Sequence, residues 1–236
     1  METASLERKK RTGTETRRQR DSDEDPAPKR REKVNLGIDT RAQDLFCNRI
    51  LDLGAGLGVA TEPHYVPHTS KGWFGSSDGS ITMVANPAVG TPLCVLRAKG
   101  SSLVAVDCGP ITVVEVYLHH RKNKKGLGDL ARIERVLDGI GDLVRRSHPR
   151  PVVIARDFNA HSERWGCSPR QRDSRGDALI DWAVGLGLSL INEVSASTCV
   201  RLNGESVIDL TWATPSAARL FREWKVEVEG ETLSYH

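Results

Sequence analysis

One stretch constrains this chain more than any other: Pro151-Val-Val-Ile-Ala-Arg-Asp-Phe-Asn-Ala-His-Ser162. Val152 to Ala155 is a continuous apolar run, rich in β-branched residues. Such a run suits a strand buried on both faces. It ends abruptly in Asp157, Asn159, His161 and Ser162. Polar groups at the carboxyl end of a buried strand are where sheet-based sites sit. Asp157 and Asn159 are two apart, so on an extended strand end they project to the same side. The carboxylate can take a proton or hold a cation, and the amide can hydrogen-bond an anion. An ordinary Asp-x-Asn turn capping a strand has the same letters, so the rest of the chain must decide.

A length of 236 residues fits one moderate domain or two small ones. Charged residues make up 28% and hydrophobic ones 38%, a soluble composition. No apolar run approaches the roughly 20 residues of a membrane helix, so no membrane partner is expected. Met1 to Arg20 is polar and charged, unlike a secretory signal peptide. The expected setting is nuclear or intracellular. Five cysteines, Cys47, Cys94, Cys108, Cys167 and Cys199, are scattered with no C-x-x-C pair. They read as reduced thiols, with neither a zinc site nor a disulfide framework. Residues 1–33 hold 11 Lys+Arg against 8 Asp+Glu, which accounts for the whole formal net charge of +3. The remainder is formally neutral, so it is no uniformly basic nucleic-acid binder, though local patches can still act.

Composition divides the chain into a charged tail, 1–33, expected to be disordered, and one domain, 34–236. The tail's Lys9-Lys10-Arg11 and Lys29-Arg30-Arg31 are a solvated surface or a basic import signal. Val34 to Leu36 is a short strand candidate. Arg41 to Leu53 has helical spacing, with Asp39 or Thr40 as cap and Gly54 as stop. Leu57 to Thr61 reads as a strand, followed by a long Gly/Pro/Ser segment, 64–79, that contains Trp73 and Phe74. Strands are expected at 80–85, 93–97, 102–107 and 111–118, paired antiparallel. A helix over 129–146 leads to the strand at 151–156, and a second helix spans about 177–186. Short strands follow at 188–191, 197–201, 206–212 and 224–228, with Asn203-Gly204 turning a hairpin. Strand runs mixed with βα units argue for an α/β sandwich.

Ile50-Leu-Asp-Leu-Gly-Ala-Gly-Leu-Gly58 resembles the first motif of methyltransferases that use S-adenosylmethionine. That motif needs a helix after its glycines. Pro63, Pro67, Gly72, Gly75 and Gly79 forbid one here, so the glycines read as a helix stop and a turn into the next strand.

Polar residues close or interrupt apolar runs at Asn35, Glu62, Tyr117, Asp157, Asn159, Asp209 and His236. Around them stand Asp157-Phe-Asn-Ala-His-Ser-x-x-Trp165-Gly166 and Arg172-Asp173-x-Arg175-Gly176. Further on come Asn203-Gly204-x-Ser206-Val-Ile-Asp209-Leu-Thr211 and Glu231-Thr-Leu-Ser-x-His236. In this order the chain resembles the endonuclease/exonuclease/phosphatase superfamily, which includes apurinic/apyrimidinic endonucleases and deoxyribonuclease I. Within it, the resemblance is closest to the endonuclease domain of insect-type non-LTR retrotransposon polyproteins. It implies an α/β (α+β) fold: a four-layer α-β-β-α sandwich of two mixed sheets, DNase I-like.

The resemblance also implies divalent-metal-dependent hydrolysis of DNA, with Mg²⁺ as the usual ion and Mn²⁺ as a substitute. Glu62 then matches the metal-binding glutamate and Asn35 an asparagine near that metal. Tyr117 matches a tyrosine that touches the scissile phosphate or assists the leaving group. Asp157 matches the residue that activates or orients water, and Asn159 its phosphate-binding neighbour. Asp209 matches the aspartate that pairs with the terminal histidine, here His236. Arg121, Lys122, Lys124 and Lys125, and Arg164, Arg172 and Arg175, follow strands that end in site residues. They are expected on backbone phosphates, with plain solvated loops as the alternative. His119, His120 and His161 read as loop residues, and Trp165 and Trp182 as packing.

Three features depart from the family's pattern. Arg156 stands where a glycine usually precedes the Asp-Phe-Asn motif. Tyr235 replaces the carboxylate of a Ser-Asp-His ending, and tyrosine supplies no charge near neutral pH. The sequence stops at His236, where relatives continue into a final strand. The expectation is therefore an endonuclease of retrotransposon origin, impaired by Tyr235 and truncation. A catalytically inactive DNA-binding remnant is the alternative, and a methyltransferase the remote one.

Overall fold

Apolar alternation sorts the strands into two sheets that face each other. The structure, a computed structural model, describes residues 31–35, 39–67, 70–118, 127–192, 197–201 and 204–226. The first sheet holds β1 (Arg31–Asn35), β2 (Leu57–Thr61), β3 (Trp73–Gly75) and β4 (Ile81–Ala85), in the order β1-β2-β4-β3. β1 and β2 run parallel, with α1 (Thr40–Asp52) between them in the chain. Asp39 caps this helix, accepting from the Arg41 N–H at 2.7 Å. Phe46 and Ile50 of α1 pack against Ala60, and Gly58 permits the approach. A Cβ at Gly58 would stand 2.2 Å from Ile50 Cδ1.

The second sheet begins as a meander of β5 (Cys94–Gly100), β6 (Leu103–Cys108) and β7 (Ile111–Tyr117). Helix α2 (Leu127–Ser147) returns the chain to β8 (Val152–Asp157), parallel to β7. Then follow α3 (Ser174–Gly185), β9 (Ser189–Leu190), a small hairpin of β10 (Cys199–Arg201) and β11 (Gly204–Ser206), β12 (Asp209–Ala213) and α4 (Pro215–Ala218). The sheet order is β5-β6-β7-β8-β12-β9.

Leu57, Val59, Ile81 and Met83 of the first sheet meet Val104, Val106, Val113 and Tyr117 of the second in one core. On the other face of the second sheet, Val114, Val116, Ile154 and Leu210 are covered by Ile133, Leu137 and Ile140 of α2 and by Leu179 and Ala183 of α3. With α1 outside the first sheet, the layers read α-β-β-α, as the resemblance implies. Trp182 Nε1 donates to the Leu137 carbonyl at 2.7 Å and ties α3 to α2.

Several expectations are corrected. The methyltransferase reading needs a strand into the glycines, but 40–52 is helix and Gly54 (φ 58°) ends it. The segment 64–79 contains β3, which pairs with β4. The strand at 80–85 joins the first sheet, so the antiparallel run is shared between two sheets. The strand expected at 206–212 is split into β11 and β12. Helix α3 starts earlier than expected because Asp173 caps it, accepting from Gly176 N–H at 2.8 Å. Trp224 to Val226 is irregular, and 227–228 lie outside the described residues. Cys94 and Cys108 face each other across β5 and β6 and are joined by a disulfide, with a Cα separation of 4.3 Å. Pairing fourteen residues apart is set by the hairpin register, which the spacing alone does not reveal.

Candidate active site

Three neighbouring strands end in one row. Tyr117, last on β7, is in register with Asp157, last on β8. Asp157 is in register with Asp209, first on the antiparallel β12. The polar residues lie here because each apolar run stops where the sheet meets solvent. Glu62 comes from the other sheet, directly after β2. Its carboxylate crosses the gap, and Tyr117 Oη donates to Glu62 Oε1 at 2.7 Å. Tyr117 and Asp157 are buried, while Glu62, Asn159 and Asp209 are half-buried. Burial, the hydrogen bond to Glu62 and the charges of Glu62 and Asp157 push the Tyr117 phenol above its ordinary range. It stays protonated and acts as a donor.

After β8 the chain makes a tight turn. The Asn159 N–H donates to Asp157 Oδ1 at 3.0 Å, which fixes the carboxylate. Asn159 has φ 44°, a left-handed conformation that asparagine tolerates better than most residues. Its carbonyl accepts from Arg175 Nη1 at 3.1 Å. The next residues are held on the first turn of α3. Asp173 accepts from the His161 backbone N–H at 3.2 Å and pairs with His161 Nδ1 at 2.8 Å. Burial raises the Asp173 carboxyl, but the bonds from His161 and Gly176 outweigh it and hold it below its ordinary value. A Cβ at Gly176 would stand 2.2 Å from the His161 carbonyl oxygen, so only glycine fits. Trp165 is fully buried, donates to the Ala160 carbonyl at 3.3 Å and meets Trp212 edge-on at 6.4 Å.

The structure thus brings Glu62, Tyr117, Asp157, Asn159 and Asp209 to one edge of the sandwich. Asn35 ends β1 opposite Thr61, one residue before Glu62. His236, Arg121, Lys122, Lys124 and Lys125 lie outside the described residues. Arg164 and Arg172 are exposed and line one open depression with Asp177, Ile180 and Asp181. Arg172 Nη2 is 3.1 Å from Asp177 Oδ1. Arg175 is half-buried and holds the Asn159 loop. The sequence reading named Asp173 in a motif and His161 as a loop residue but did not foresee the bonds between them that anchor the loop. It also missed Asp78, which gathers serines near Glu62. The signal for Asp78 was its Ser-Ser-Asp-Gly-Ser setting, dense in turn-forming hydroxyls.

Among the described residues no group of three or more His, Cys, Asp or Glu side chains forms a self-sufficient cation cage. A Mg²⁺-type site does not require one. A small hard cation takes one or two carboxylates and fills its other positions with water and substrate phosphate. The donors gathered here are oxygens, with Glu62 Oε1 oriented by the Tyr117 hydroxyl, and this set fits such an ion.

Residues 111–236 match the family Exo_endo_phos_2, endonuclease-reverse transcriptase, and the chain belongs to it. Among solved structures, the chain is similar to the endonuclease domain of TRAS1, a telomere-specific non-LTR retrotransposon. The identity is 24%, coverage is 86% of this chain and 92% of that one, and the TM-score is 0.70. It is also similar to the 3'-5' exonuclease NExo from Neisseria meningitidis, at 13% identity, 80% and 88% coverage and a TM-score of 0.61. A structure of the 3' phosphatase NExo from Neisseria bound to a product DNA hairpin has 13% identity, 80% and 88% coverage and a TM-score of 0.58. No curated protein matches the chain.

Proposed function

We propose that this chain is a divalent-metal-dependent endonuclease that hydrolyses phosphodiester bonds in DNA, of retrotransposon origin. The observation that carries the reading is Glu62 of one sheet bonded to Tyr117 of the other, beside Asp157 and Asp209. Family membership supports hydrolysis. The DNA hairpin bound to the Neisseria neighbour supports DNA as the substrate class.

Each side chain has a task that its setting supports. Asp157, held by the Asn159 N–H, orients a water and takes its proton. Asn159 offers its amide to a phosphate oxygen. Tyr117, kept protonated, donates a hydrogen bond toward the reacting phosphate. The pairing of Asp209 with His236, which lies outside the described residues, rests on the family resemblance alone, and a carboxylate partner would favour the charged imidazole. A divalent cation held at Glu62, with Asn35 nearby, would neutralise charge building on the phosphate oxygens. Arg164 and Arg172, and the cluster Arg121, Lys122, Lys124 and Lys125, supply sequence-independent phosphate contacts.

The test is nicking of supercoiled plasmid by the purified chain in Mg²⁺. Wild type nicks, and Asp157→Ala reduces the rate by about 10²–10⁴-fold. Equal nicking by the variant overturns the assignment. Tyr235, where the family has a carboxylate, favours a second reading, an inactive DNA-binding remnant. DNA binding without nicking selects that reading. Tyr235→Asp raises the rate if the missing carboxylate limits turnover.

A further inference from the structure

Glu62 and Tyr117 sit on different sheets, yet a second connection joins them behind the site. The Glu62 N–H donates to the Ser80 carbonyl at 2.8 Å, and the Tyr117 N–H donates to the Ser102 carbonyl at 3.0 Å. Ser80 precedes β4 in the first sheet, and Ser102 sits in the β5–β6 turn of the second. Both serines are buried, with their hydroxyls 3.5 Å apart. Asp78 bridges them. Its Oδ1 accepts from Ser80 Oγ at 2.7 Å and the Ser80 N–H at 3.1 Å, and its Oδ2 accepts from Ser102 Oγ at 2.7 Å. Ser76 and Ser101 hydroxyls add bonds at 2.7 and 3.0 Å.

We propose that Asp78 is a positioning residue: it closes a ring, Glu62–Ser80–Asp78–Ser102–Tyr117, that sets the Glu62 carboxylate against Tyr117 across the two sheets. Two of the ring's members, Glu62 (φ 52°) and Ser102 (φ 57°), are non-glycine residues in left-handed backbone. Such conformations persist only where surroundings over-determine them. Asp78 is exposed and packs no core, so the bonds it gathers go to the ring and its flanking serines. Partial burial raises its carboxyl, but hydrogen bonds from Ser80, Ser102 and Ser76 outweigh this and keep it ionised well below the usual carboxylate range. The charged acceptor strengthens each of those bonds. The consequence for a cation at Glu62 rests on the function proposed above.

Two measurements test the ring. The first needs no metal: thermal unfolding of Asp78→Ala, Tyr117→Phe and the double variant. Asp78→Ala lowers Tm by about 2–4 °C. The ring requires the double variant to lose less than the two single losses combined, and strict additivity overturns it. Should Asp78→Ala not fold, Asp78→Asn, which keeps one carbonyl acceptor, takes its place. The second is Mn²⁺ titration followed by electron paramagnetic resonance. Asp78→Ala weakens Mn²⁺ about 10-fold, in the range known for groups behind a metal ligand. Ser147→Ala, a buried change on α2 remote from the ring, leaves the affinity unchanged. Unchanged Mn²⁺ affinity in Asp78→Ala overturns the positioning role. If wild type itself binds no Mn²⁺, the metal-dependent reading fails, and the unfolding cycle still decides the ring.

Discussion

Glu62, Ser102 and Asn159 are the non-glycine residues with left-handed backbone among those described. All three lie at the candidate site or directly behind it. Local strain of about 1–3 kcal/mol per residue is tolerated where other bonds enforce it. Here those bonds are the Ser80 carbonyl on Glu62, the Asp78 carboxylate on Ser102 and the Asp157 carboxylate on Asn159. Tyr117 adds a pH consequence. Its folded pKa is raised, so the folded state keeps a phenolic proton that the unfolded chain releases near pH 10. That contribution is fully present below about pH 10 and is lost as pH rises through the folded value. Wild type therefore loses stability more steeply than Tyr117→Phe above about pH 10 in urea titrations. Parallel pH profiles for the two proteins would contradict the raised phenol.

At the scale of elements, the parts with local periodicity were readable. Helix α1 announced itself by Asp39, its apolar stripe and Gly54, and β8 by its apolar run. Parts fixed by distant pairing were not. Strand β3 has three residues and exists because Trp73 to Gly75 face Thr82 to Val84. The disulfide depends on hairpin register, and the start of α3 on Asp173 gripping His161 twelve residues away. Of the site, the strand-end residues were legible because each breaks an apolar run. The partners of Asp173, Arg175 and Asp78 lie up to 24 residues away in the chain, so what each holds is set by the fold and not by local spacing. The α3 anchor makes a contrast that can be measured. Gly176→Ala drives a methyl into the His161 carbonyl, and it lowers stability by about 1–3 kcal/mol and slows nicking. Gly139→Ala in α2 meets no atom within 4 Å, and it raises stability by about 0.5–1 kcal/mol with nicking unchanged. Equal effects in chemical denaturation would remove the case that α3 holds the loop of Asn159 and His161.

Across the whole molecule, the two sheets share one core, and the candidate site lies where that core opens. Leu57, Val59 and Met83 on one side and Val104, Val106 and Val113 on the other exclude water from the gap. At its mouth, Tyr117 is at once a core side chain and a hydrogen-bond donor to Glu62. A half-buried carboxylate bonded to a core tyrosine suits a hard cation that also binds a phosphate. Among the described residues, the exposed Arg164 and Arg172 line a separate depression with Asp177, Ile180 and Asp181. The most direct measurement is a crystal of the chain with Mn²⁺ and a short DNA duplex, with the ion located by anomalous scattering. The account predicts a peak at the Glu62 carboxylate, facing Asp157 and Asp209 across a DNA phosphate. An ion at another face, or DNA bound with no phosphate near Glu62, would contradict it.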